Sequence, residues 1–208
     1  MLTNYERGVA ITLVEALCEY GLTENLAQFG KHDTENWFRN NNLCDADFWV
    51  SSGATKVCIG HNDLRGWVIK VGYTENVKKD YATYEYNVYC MAEEVGLAHY
   101  FPETIYLGEF YGRPFYVQQE ADCDEGQVTS DWYERLCNQY KEVGEEYDPN
   151  YLWDELDCMG AEDKARLCFG DEALCNFLWE HKVNDLHEGN FGYIRGCLVI
   201  IDMAGFEG

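Results

Sequence analysis

Apolar residues in the first stretch of the chain recur at helical spacing. Val9, Leu13, Ala16, Leu17 and Tyr20 line one side of residues 4–20, and Gly21 follows as a stop, which predicts a helix. A weaker helical pattern covers Thr23 to Phe38, and Asn40-Asn41-Asn42 reads as a turn. From Phe48 the period changes to two. F-W-V-S-S-G-A-T-K-V-C-I-G predicts a strand, a small polar loop and a second strand; W-V-I-K-V, after the turn H-N-D-L-R-G, predicts a third. Alternation in that third strand sets Val68 and Lys70 on one side and Trp67, Ile69 and Val71 on the other. Residues 76–95 return to helical spacing, with Tyr81, Tyr84, Val88, Met91 and Val95 in a stripe, Glu85 at its border and Gly96 closing it. Two further strands are predicted around Tyr111-Gly112, in F-P-E-T-I-Y-L-G-E-F and R-P-F-Y-V-Q-Q-E-A.

The acidic, Gly-containing segment A-D-C-D-E-G-Q then reads as a linker. Residues 129–167 are helical in composition, with Trp132, Leu136 and Tyr140 at helical spacing and a break at Asp148-Pro149-Asn150. Asp171 to Lys182 predicts another helix, capped by Asp171 and burying Leu174, Phe177, Leu178 and His181 along one side. Two short apolar runs, Phe191 to Ile194 and Cys197 to Ile201, are joined by Arg195-Gly196 and predict a hairpin. Such a hairpin brings Asn190 and Asp202 to the same end, with Asp185 a turn away. Hard oxygen ligands converging in this way suit Mg²⁺, which takes one or two carboxylates together with substrate phosphates. The expected chemistry is phosphoryl transfer.

Composition narrows the partners. Hydrophobic residues make up 47% of the chain and six are Trp, which argues for a folded protein. The net charge of −23, from 15 Lys+Arg against 38 Asp+Glu, argues against direct nucleic-acid binding or an anionic membrane surface. It fits a basic partner, or merely a soluble acidic protein. The start shows no basic segment followed by an apolar one, and no apolar run approaches a membrane span, so a cytoplasmic protein is expected. The ten Cys contain no C-x-x-C pair, and reduced, mostly buried thiols are expected.

D-L-H-E-G-N at 185–190, followed by L-V-I-I-D ending at Asp202, resembles the catalytic core of the protein-kinase-like superfamily. The D-L-H-x-x-N form is most similar to its aminoglycoside and choline kinase branch. Asn184 and Val183 stand where eukaryotic protein kinases carry Arg and His, and D-M-A-G is one residue longer than D-F-G. The resemblance implies ATP and Mg²⁺ as cofactors, Asp185 as catalytic base, and Asn190 and Asp202 as metal ligands. W-V-I-K is similar to the third-strand V-A-I-K motif, which implies that Lys70 holds the α- and β-phosphates and that Val68 underlies the adenine. Glu85 would orient Lys70. The loop S-S-G-A-T-K-V is a degenerate glycine-rich loop in which Gly53 and Val57 match, and Ser51, Ser52 and Thr55 are candidate phosphate donors. Gln118 to Asp122 would form the hinge, with adenine contacts at Glu120 and Asp122.

The implied fold is α+β and two-lobed. Residues 1–47 would be a helical extension, 48–122 an N-lobe with a five-stranded antiparallel sheet, and 123–208 a reduced helical C-lobe ending just after the metal-binding Asp202. No activation segment follows Asp202 in this sequence, which implies a minimal kinase like those of some bacterial effectors and phages, with a protein acceptor favoured over a small molecule. The other reading is non-catalytic: a kinase-shaped binding module, or an acidic decoy for a basic or nucleic-acid-binding surface. His187 would either contact metal-bound phosphate or brace its loop.

Overall fold

A computed structural model describes residues 1–28, 31–53, 55–73, 80–144, 148–183 and 186–202. The chain is α+β, a five-stranded antiparallel sheet followed by a region of several helices, and it divides into two compact units. The first comprises residues 1–91 and 102–120, the second 92–101 and 121–208.

In the first unit, α1 (Asn4–Glu19) starts at a capping box: Thr3 accepts from the Glu6 N–H, and Glu6 reaches back to the Thr3 N–H. Its buried residues are Ala10, Val14, Leu17 and Cys18, while Val9 and Leu13 are partly buried and Tyr20 is exposed. The buried side is therefore turned about one residue from the expected stripe. Apolar residues surround most of this helix, so spacing alone leaves its orientation open. The expected second helix is two, α2 (Leu22–Gln28) and α3 (Lys31–Asn40). Asn42 ends this region with a left-handed backbone, φ 54°, a conformation Asn tolerates.

The sheet runs in the order β1-β2-β3-β5-β4, from β1 (Phe48–Ser52), β2 (Lys56–His61), β3 (Trp67–Gly72), β4 (Thr104–Phe110) and β5 (Arg113–Gln119). Tyr111 and Gly112 join β4 to β5 with φ of 50° and 76°, the paired positive values of a type I′ hairpin. Trp67, Ile69 and Val71 pack with Val57, Ile59, Phe115 and Val117 against Leu17, Leu22 and Phe38 of the N-terminal helices. One side of the sheet is thus covered by α1–α3. Val68 and Lys70 point to the other side, as alternation requires.

That other side meets α4 (Tyr81–Glu94). Its buried positions are Ala82, Glu85, Val88, Tyr89 and Ala92, and Val95 beyond its end is exposed. Glu85 lies at the centre of the buried face and not at its border, because tyrosines spread around the helix blur its apolar stripe. Asp80 caps α4, accepting from the Thr83 N–H at 2.7 Å and from the Thr83 hydroxyl at 2.6 Å.

The second unit holds α5 (Glu125–Val143), α6 (Pro149–Cys158), α7 (Ala161–Phe169) and α8 (Glu172–Glu180), then a hairpin of β6 (Phe191–Ile194) and β7 (Cys197–Ile200). Asp148 caps α6 with Pro149 in its first turn, and Asp171 caps α8. Phe191 ties the hairpin to the helices: its ring meets Trp132 edge-on at 5.1 Å and stacks near Phe169 at 6.3 Å.

Among the described residues no helix is long and apolar enough to cross a membrane. All ten cysteines are free, but only Cys18, Cys137, Cys168 and Cys175 are buried, while Cys44, Cys123, Cys158 and Cys197 are exposed. The expectation of mostly buried thiols was too broad. Burial pushes the Cys18 and Cys168 thiols up to about 12, which keeps them protonated and unreactive.

Candidate functional site

In the first unit, charge is gathered on the side of the sheet that faces α4. Lys70 is 5% exposed and Glu85 fully buried, and Lys70 Nζ lies 3.0 Å from Glu85 Oε2. Lys56 is equally buried, with Nζ 3.0 Å from the other carboxylate oxygen, Oε1. One carboxylate thus carries an ammonium at each oxygen. Strand register explains why. Cys58 pairs with Lys70 and Lys56 with Gly72, so all four lie on one side of the sheet.

The same register moves Val57 away from this side. Val57 pairs with Val71 and sits fully buried in the core beneath α1–α3. It does not share a surface with Val68 and Lys70, where its match to the Val after a glycine-rich loop implied a nucleotide contact. Val68 does lie on the Lys70 side, paired with Gln118.

The β1–β2 loop is a short hairpin. The Gly53 N–H donates to the Lys56 carbonyl at 3.0 Å, and the Thr55 carbonyl accepts from the Tyr73 N–H at 3.2 Å. A Cβ at Gly53 would make only an ordinary contact, 3.7 Å from the Lys56 carbonyl, so the position does not require glycine. The Ser52 hydroxyl donates to Glu35 Oε1 at 2.6 Å. That hydroxyl hydrogen is therefore engaged by Glu35.

The expected hinge is likewise engaged. The Glu120 N–H donates to the Gly66 carbonyl at 2.9 Å, and the Glu120 carboxylate accepts from the Gly66 N–H at 3.2 Å. In the second unit, the Asp122 N–H donates to the Tyr193 carbonyl at 2.9 Å and its carbonyl accepts from the Tyr193 N–H at 2.8 Å. Both N–H groups are thus already engaged within the protein.

The hairpin of the second unit sets its polar end. Phe191 pairs with Ile200, and the Ile201 N–H donates to the Asn190 carbonyl at 2.9 Å, so Asn190 and Asp202 lie at the same end. Arg195 and Gly196 form the opposite turn with φ of 53° and 80°. Asn190 is buried and Asp202 half-buried. His187 Nδ1 accepts from the Gly189 N–H at 3.1 Å, capping the 3₁₀ turn Glu188–Asn190. Bracing the loop is therefore its visible role. Tyr193 donates its hydroxyl to Asp131 on α5, which fixes the hairpin to that helix. Asp185 lies outside the described residues.

No group of three or more His, Cys, Asp or Glu able to hold a metal occurs among the described residues. A protein-only cage is thus not in view. One carboxamide and one carboxylate at a hairpin base fit Mg²⁺, whose remaining positions go to water and phosphate.

No family model, curated protein or solved structure matches this chain. The functional reading therefore rests on the side chains themselves.

Lys56, Asp80 and Arg113 are further buried charged residues of this unit that the sequence did not single out. Arg113, 1% exposed, donates to the Gly72 carbonyl at 3.3 Å. Burial pushes the Asp80 carboxyl above its usual range, opposed by its Thr83 hydrogen bonds and by the nearby Arg113 and Lys56. An acid raised in this way holds its proton more tightly when folded. Its contribution to stability is full below the unfolded pKa and is lost as pH rises through the folded one. Asp80→Asn keeps a capping oxygen and has no charge to bury. It is expected to be more stable than wild type at pH 7, with the gap closing toward pH 4, as measured by urea denaturation across that range.

Proposed function

We propose that the chain is an ATP- and Mg²⁺-dependent phosphotransferase built as a minimal protein-kinase-like domain. The observation that carries the reading is the buried Lys70–Glu85 pair at 3.0 Å on the α4 side of the sheet. A lysine is seldom fully buried unless paired, and a fixed ammonium is suited to hold phosphate oxygens. Lys70 would bind the ATP phosphates, with Glu85 fixing its position. In the second unit, Asn190 and Asp202 would hold Mg²⁺, which supplies charge neutralisation at the phosphates. Asp185 would orient an acceptor hydroxyl and take its proton. Catalysis of this kind is positioning plus electrostatics. A protein acceptor is favoured, and the net charge of −23 favours a basic one.

Calorimetric titration of ATP with and without Mg²⁺ tests the reading. Wild type should bind in a metal-dependent manner, and Asp202→Ala should lose at least about tenfold in affinity, the equivalent of ~1.4 kcal/mol. A folded wild type that binds no ATP at millimolar concentration would remove the phosphotransferase reading. The non-catalytic acidic module would then stand first.

A further inference from the structure

Lys56 has no role in the phosphotransferase reading as stated, yet it is the second of two lysines sharing one carboxylate. The side-chain trio Lys56–Glu85–Lys70 carries one net positive charge, with both ammonium nitrogens 3.0 Å from Glu85 oxygens. Taking a second ammonium out of water toward the same carboxylate costs desolvation that a single Lys–Glu pair would avoid. Arg113 lies close by, and burial of Asp80 disfavours the charged form of its carboxyl. The local field on this side of the sheet is therefore positive, in a chain whose net charge is −23.

The hairpin next to Lys56 explains what that charge is for. A glycine-rich loop holds phosphates mainly with backbone N–H groups. Here the loop is short, its Gly53 N–H donates to the Lys56 carbonyl at 3.0 Å, and the Ser52 hydroxyl donates to Glu35 at 2.6 Å. Lys56 stands at the end of that same hairpin, as the first residue of β2.

We propose that Lys56 is a second phosphate-binding lysine, which with Lys70 grips the polyphosphate of a nucleoside triphosphate where the Gly53 N–H and the Ser52 hydroxyl are already engaged. The inference rests on the phosphotransferase reading and specifies how that site takes its nucleotide: by side-chain charge from two adjacent strands.

The test compares Mg²⁺-ATP and AMP binding by calorimetry in wild type, Lys56→Met, Lys56→Gln and Lys56→Arg. Lys56→Met leaves the Lys70–Glu85 pair in place. It is expected to weaken ATP binding about 10- to 100-fold, to change AMP binding much less, and to flatten the salt dependence of ATP affinity. Unchanged ATP affinity in the Met variant, or equal losses for ATP and AMP, would overturn the proposal and leave Lys56 a structural ion pair. Where the Met variant does not fold, Lys56→Gln decides: it removes the charge but keeps a polar side chain, so ATP affinity should fall while AMP affinity holds, and ATP affinity equal to that of wild type overturns the proposal. Lys56→Arg, which keeps the charge and the phosphate donors, should bind ATP near the wild-type level. Failure of wild type itself to bind ATP removes the phosphotransferase reading and this inference together, whereas normal ATP binding by Lys56→Met removes this inference alone.

Discussion

Glu85→Ala is expected to destabilise the first unit by about 3–5 kcal/mol, the usual cost of deleting one partner of a buried ion pair. The substitution leaves Lys56 and Lys70, each 5% exposed, without the carboxylate that lies 3.0 Å from both. At ~2–4 °C per kcal/mol for a chain of this size, the midpoint should fall by roughly 10 °C. Replacing all three side chains by Met provides the control. Buried ion pairs exchanged for apolar groups of similar volume are often neutral or stabilising, so the triple variant should regain much of the loss while remaining unable to bind ATP. A Glu85→Ala loss below ~1 kcal/mol would mean that water reaches these lysines in solution.

Gly72→Val has the second largest expected effect. A Cβ at Gly72 would sit 1.6 Å from Asp80 Oδ1 and 2.7 Å from Asp80 Cγ. The carboxyl cannot move freely, because Thr83 holds it at 2.7 and 2.6 Å as the cap of α4. Overpacking should cost about 1–3 kcal/mol, and losing the cap about 1 more. α4 carries Glu85, so nucleotide affinity should fall with stability. Because the clash and the cap share one carboxyl, the two losses should not add. In Gly72→Val with Asp80→Ala, measured by urea denaturation, the double variant should cost clearly less than the sum of the singles. Additive losses would place the strain elsewhere.

Most of the fold could be read along the chain, because strand-forming runs and helical stripes are separated by turn signals. W-V-I-K-V sorted its residues to the correct sides, and Tyr111-Gly112 and Arg195-Gly196 occupy the positions that two-residue turns demand. The pairing of Lys70 with Glu85 was expected from the motif resemblance, since helix spacing alone set Glu85 only at the border of its stripe. What could not be read depended on register between strands. Val57 and Lys56 are neighbours, and whichever of them shares a side with Lys70 is decided by a one-residue shift in the β2–β3 ladder. Commitments of backbone N–H groups at Glu120 and Asp122 were also invisible, since they depend on Gly66 and Tyr193, which are remote in sequence. The rotation of α1 was ambiguous because its apolar residues nearly encircle it.

The strand order β3-β5-β4 bears on how the chain comes off the ribosome. β4 joins the sheet only through β5, which lies between it and β3. Until residue 119 has been synthesised, β3 has an open edge and β4 has no partner. The buried side of α1, which packs with Leu107, Phe115 and Val117, lacks part of its cover during that interval. Arg7 likewise waits for the Tyr106 carbonyl, to which it donates at 3.2 Å from 99 positions away. Contacts so distant in sequence slow folding. The nascent N-terminal helices would therefore emerge with apolar surface exposed, a natural substrate for chaperone capture before the sheet can close.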